Sequence, residues 1–131
     1  MTAHSGQAEV DMSLLISTRK AGNVTILDLR GRITIGAGSD ALSSELHALA
    51  ENAPCDLLIN LAEVTQVDST GINVLVQSYV SLKRKGGNLK ILHATGYVRE
   101  VLEVTHLIGC LPVFADEAEA LASFRSTAAH A

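Results

Sequence analysis

Residues 56–87 read DLLINLAEVTQVDSTGINVLVQSYVSLKRKGG, and the order of textures in this stretch decides the fold. Asp56 to Leu61 is a near-continuous apolar run, the look of a strand covered on both faces. Ala62 to Asp68 is polar and reads as a loop. From about Ser69 to Lys85, residues Ile72, Leu75, Val76, Tyr79, Val80 and Leu82 form one apolar stripe at helical spacing. Lys83, Arg84 and Lys85 stand where a helix dipole favours cations, and Gly86-Gly87 can take the left-handed cap that ends a helix. Strand, loop and helix in this order form part of a parallel crossover unit.

The neighbouring segments extend the alternation. Asn88 to Leu92 is a short strand. Gly96 to Thr105 reads as a short helix with Val98, Val101, Leu102 and Leu107 facing in. Leu111 to Ala115 makes a last strand, and Asp116 to Arg125 a final helix opened by acids. Upstream, Ser13 to Arg19 and Val24 to Leu29 flank the turn residues Lys20 to Asn23 and form a hairpin, whose second strand continues through Arg32 to Ile35. A helix starts near Ser39 or Asp40, both good N-caps, carries Leu42, Leu46, Leu49, Ala50 and Ala53 inward, and stops at Pro54. The expected fold is α/β: a mixed sheet of about five strands with an N-terminal hairpin as its antiparallel edge, right-handed crossovers, and about four helices. Residues 1–11 read as a flexible arm, 12–125 as the domain and 126–131 as a flexible tail.

Composition bounds the function. The chain has 131 residues, enough for one domain, and 47% hydrophobic content supports a core built from Leu, Ile, Val and Ala. A net charge of −4 with scattered cations leaves no electrostatic footprint for nucleic acid. No apolar stretch approaches a membrane span, and the N-terminus lacks the order of a secretory signal, so the expected location is the cytoplasm. Cys55 and Cys110 share no metal-like spacing and read as buried thiols. The five histidines show no ligand spacing, and no metal site is expected.

Asp68-Ser69-Thr70-Gly71 is the most informative element. Functional groups of open α/β sheets gather beyond the carboxyl ends of strands, which puts Ser69 in the first turn of a helix at the surface. A hydroxyl there is reachable by a kinase; capping by Asp68 or Ser69 is the structural alternative and is compatible with phosphorylation. The Gly36 to Ala41 segment matches the Gly-x-Gly-x-x-Ala variant of the dinucleotide fingerprint, although the acid that should follow falls at the wrong end of the next strand, at Asp56, or late, at Glu63. An aspartic protease would need Gly two residues after the Asp, and an all-β order. A phospho-aspartate receiver would need a clustered acidic pair, whereas only Asp28 is near.

The Leu-Ile-Asn-Leu strand, the short loop, Asp-Ser-Thr-Gly and the helix ending in Gly-Gly together resemble the STAS domain, and within it the bacterial anti-sigma factor antagonists. The resemblance runs from about Leu14 to Phe124; the Gly36-Ala37-Gly38-Ser39 turn departs from the pattern and its role is left open. It implies a non-enzymatic module that binds an anti-sigma factor acting as a serine kinase, is released by phosphorylation at Ser69, and is reset by a phosphatase. The kinase supplies ATP, so no cofactor is implied. The expected partner surface is Val64, Thr65, Gln66, Asp68, Ser69 and Thr70, with Asn73, Gln77 and Ser81 on the outer face of the helix. Two alternatives remain: a STAS scaffold or lipid-transport-complex subunit without reversible release, and a small nucleotide-binding enzyme using Gly36 to Ala41. Weak homo-oligomerisation stays open.

Overall fold

The structure is a computed structural model that describes residues 14–51, 55–94, 96–104 and 113–130. Strands β1 (Leu14–Ala21) and β2 (Val24–Ile33) form the hairpin, followed by α1 (Ala37–Ala50), β3 (Asp56–Val67), α2 (Ser69–Arg84), β4 (Asn88–Leu92), α3 (Gly96–Val104), β5 (Val113–Phe114) and α4 (Glu117–His130). The five strands lie in sequence order, β1-β2-β3-β4-β5. Only the β1–β2 pair is antiparallel; the other three pairs are parallel. The mixed α/β architecture expected from the sequence is therefore the observed one.

Period-two alternation divides the sheet's side chains between two cores. Leu27, Leu29, Leu57, Ile59, Leu61, Leu89 and Ile91 pack with Leu42 and Leu46 of α1, Ile72, Leu75 and Leu82 of α2, and Val98 and Leu102 of α3. Val24, Ile26, Leu58 and Leu92 face the other way, against Ala120 and Phe124 of α4. Helices on both faces explain why the β3 run reads as continuously apolar. Arg19 on β1 bonds both Asp28 on β2 and Glu117 at the start of α4, which ties α4 to the hairpin edge.

Several expectations need correction. Strand β3 does not stop at Leu61 but continues to Val67, so Ala62 to Val67 is not a loop. Its pairing with β2 passes through two irregularities, between Asp28/Arg30 and between Gly31/Arg32, each placing an extra residue on β3. The extra residues break the alternation, and Val64 and Val67 are buried three apart. Helix α1 starts at Ala37, with Gly36 as N-cap and no side-chain cap. Ser39 is buried within it, its amide donating to Thr34 O at 3.1 Å. Val80 is 42% exposed. At about 100° per residue it stands roughly 140° round α2 from Leu75, whereas Leu82 returns to the inner face. Cys55 is half-buried, and burial raises its thiol pKa. Helix α4 runs past Arg125 to His130. Leu107, Cys110 and Leu111 lie outside the described residues.

The end of α2 follows its sequence closely. Gly87 N donates to Leu82 O at 2.8 Å and Gly86 N to Lys83 O at 3.1 Å, with Gly86 at φ 87°, the paired bonds of a Schellman cap.

Candidate functional site

Strands β2 and β3 end together, with Ile33 opposite Val67. Two connections leave this rim side by side: residues 34–36 lead into α1, and Asp68 leads directly into α2. Asp68 has extended backbone angles, φ −109° and ψ −174°, and is the N-cap of α2. Its Oδ1 accepts from Gly71 N at 3.0 Å and its Oδ2 from Ile35 N at 2.8 Å. Its own amide donates to Ile33 O at 3.3 Å. One carboxylate thus serves both connections. The Gly71 N–H, then that of Ile35, hold the Asp68 carboxyl below the usual aspartate range.

Two glycines allow this closeness. A Cβ on Gly71 would lie 2.2 Å from Ile33 O, and one on Gly38 would lie 2.4 Å from Arg32 O. Both helices therefore start hard against the β2 backbone. This accounts for Gly38 in the Gly36-Ala37-Gly38-Ser39 turn, and it argues against the nucleotide reading. Gly38 fills its space with close packing, and Asp56, opposite Val24, is at the far end of the sheet.

Ser69 follows Asp68 as the first residue of α2 and is exposed. Its hydroxyl makes no hydrogen bond among the described residues. It stands at the positive end of a 16-residue helix, where an anion is favoured. Thr70 is half-buried. Asn73 and Gln77 are exposed at four-residue steps from Ser69, so the three share one face. Gln77 and Ser81 also line a shallow cavity of about 220 Å³ between α1 and α2, with Ser43, His47 and Val74.

Thr65 and Gln66 are exposed on β3, and Thr65 Oγ1 donates to Gly31 O at 3.2 Å. Val64, expected at the partner surface, points into the core at 7% exposure. Sequence reasoning missed Ile35, which is 77% exposed beside Asp68. The signal was there, an isoleucine directly before a glycine turn, but it read as the end of a strand. Among the described residues no group of three or more His, Cys, Asp or Glu could hold a metal ion. No described helix is long and apolar enough to cross a membrane.

The family model of the STAS domain matches residues 16–120. The chain is 28% identical over 96 residues to the anti-sigma-B factor antagonist of Bacillus subtilis, covering 73% of this chain and 86% of that protein. It is 23% identical over 111 residues to the anti-sigma F factor antagonist of Paenibacillus polymyxa, covering 84% and 94%. A crystal structure of an anti-sigma factor antagonist from Mycobacterium paratuberculosis superposes with a TM-score of 0.76 at 23% identity, over 86% of this chain and 95% of that one.

Proposed function

The chain belongs to the STAS domain family, and on that premise we propose that it is an anti-sigma factor antagonist whose complex with an anti-sigma factor is broken by phosphorylation at Ser69. The observation that carries this reading is the exposed Ser69 hydroxyl at the start of α2, beside the fixed Asp68 carboxylate and at the head of the polar row with Asn73 and Gln77.

In the unmodified protein this surface offers a neutral hydroxyl, amides and short polar side chains. The partner is a serine kinase that brings its own ATP. The Ser69 oxygen attacks the γ-phosphorus, the bond to the β-phosphate oxygen breaks, ADP leaves, and the hydroxyl proton passes to a base of the kinase. The phosphoserine then carries about −1.5 to −2 charges next to Asp68. The helix N-terminus tolerates this anion, so the fold survives while the partner surface no longer matches. A phosphatase restores the hydroxyl. The chain itself performs no catalysis and needs no cofactor.

The test is incubation of the purified protein with a cognate serine kinase and ATP, followed by mass spectrometry and size-exclusion chromatography. The expected result is one phosphate, on Ser69, and loss of the complex. A phosphate on Thr70 or Ser39 contradicts the site. A stable complex that persists after Ser69 is modified replaces the switch with a scaffold.

A further inference from the structure

Ile35 is the most exposed large apolar side chain among the described residues. Twenty-six apolar side chains of the described residues are buried, while Ile35 leaves 77% of its surface in water, well above Leu15 at 39% and Val80 at 42%. Single exposed apolar residues are ordinary on protein surfaces, so exposure alone marks no site. What distinguishes Ile35 is the backbone beneath it, hydrogen-bonded at its own amide and at both flanking carbonyls. Its amide donates to Asp68 Oδ2 at 2.8 Å. The preceding carbonyl, Thr34 O, accepts from Ser39 N at 3.1 Å, and the following one, Gly36 O, accepts from Asp40 N at 3.0 Å. Gly36 at φ 108° lets the chain turn immediately after it. A β-branched side chain is stiff at χ1, so little freedom is left to lose on contact.

We infer that Ile35 is an apolar anchor of the partner surface, a knob set in register with Ser69 through their shared neighbour Asp68, and that the anti-sigma factor receives it in an apolar socket next to the groups that face Ser69. The inference rests on the function proposed above and deepens it by naming a specificity determinant. The occupant is argued from continuity: the carboxylate that bonds Ile35 is the cap immediately preceding Ser69, so a protein that covers the hydroxyl reaches the isoleucine too. Buried anchors surrounded by polar contacts supply most of the energy of protein interfaces, and preorganised ones lose least on binding. A socket of different size or polarity would reject this chain, which makes Ile35 a determinant of the anti-sigma factor it pairs with.

The experiment is a calorimetric titration of the native full-length chain, Ile35→Val and Ile35→Ser against the purified anti-sigma factor kinases encoded in the same genome. The tightest complex of the native chain is used for comparison. Ile35→Ser should weaken binding at least about tenfold and Ile35→Val by less than about threefold, with a less negative heat-capacity change for Ile35→Ser. Both variants should melt within a few degrees of the native chain, and both should still be phosphorylated on Ser69 at saturating kinase. If Ile35→Ser melts early, Ile35→Thr, which keeps the β-branch, replaces it with the same expected loss. Binding of the polar variant within twofold of native overturns the anchor while leaving the antagonist reading intact. If the native chain binds none of these kinases, both fail together.

Discussion

The carboxylate of Asp68 accepts the amide of Ile35 at 2.8 Å, joining two residues 33 positions apart at the rim where β2 and β3 end. The same side chain caps α2. Its removal should therefore cost more than a cap on an isolated helix and should loosen the turn before α1 as well.

Asp68→Ala should lower stability by about 1–2 kcal/mol in denaturant unfolding at neutral pH, the upper part of the range for lost N-caps. Its pKa is lower in the folded state than in the unfolded one. The native contribution is thus present above the unfolded value of about 3.9 and fades as pH falls through the lower folded value. The difference between native and variant should shrink in that acid window. A difference unchanged down to pH 2 would mean that the carboxylate does not carry the cap.

Gly71→Ala tests the close approach to β2. Ala normally favours a helix interior over Gly by about 0.5–1 kcal/mol. Here the added methyl would meet Ile33 O, a backbone atom, at 2.2 Å. Crowding of this kind costs typically about 1–3 kcal/mol, so the variant should melt below the native protein. A rise in melting temperature would show that the helix does not start against the strand.

Ser69→Ala should fold, bind the anti-sigma factor much as the native protein does, and resist release by ATP. Ser69→Asp should also fold, because a carboxylate suits a helix N-terminus. It should bind more weakly, though less drastically than the phosphoprotein, since one carboxylate carries less charge and fewer acceptor oxygens than phosphate. Thermal melts and binding at equal salt check both. Equal affinities for the two variants would reduce Ser69 to a structural residue.

The Arg19 guanidinium joins Asp28 at 2.6 Å and Glu117 at 2.7 Å. These bonds hold both carboxyls below their ordinary range. All three groups are partly exposed, so Arg19→Met should cost no more than about 1 kcal/mol. The contribution should be full above the unfolded carboxylate values of about 4 and fade as pH falls through the lower folded values. Urea unfolding at pH 7 and pH 3 measures it, and an equal loss at both would implicate packing of the Arg19 stem instead.

Lys90 is buried beneath α4, its Nζ 4.6 Å from the Phe124 ring centroid and 2.9 Å from Ser123 Oγ. Burial lowers its pKa. The unfolded chain therefore binds the proton more readily, and stability should rise with pH between the folded value and about 10.4. Lys90→Met keeps the length of the side chain and should remove this slope without loss of stability near neutral pH. Retention of the same alkaline slope in Lys90→Met would point to another group.

Much of this was legible in the sequence because the signals are local. The Lys83-Arg84-Lys85-Gly86-Gly87 ending of α2 appears as a Schellman cap, and Asn88 to Leu92 as a strand with the bounds expected. The apolar run at β3 required cover on both faces, and α2 and α4 lie on opposite faces of the sheet. Asp68 before an apolar stripe announced a helix start, and Ser69 is exposed in its first turn.

What the sequence by itself determined is the order of elements, the parallel core and the hydroxyl at the helix start, since each follows from the period of apolar residues or from capping chemistry within a few positions. Only the tertiary structure decided that β3 runs on to Val67, that Val64 is core, that Gly38 and Gly71 are fitted to Arg32 and Ile33 carbonyls, and that Ile35 stands beside Asp68. Each of these depends on the register between β2 and β3, two strands separated by an entire helix. Bulges shift that register one residue at a time, and no local pattern records where they fall.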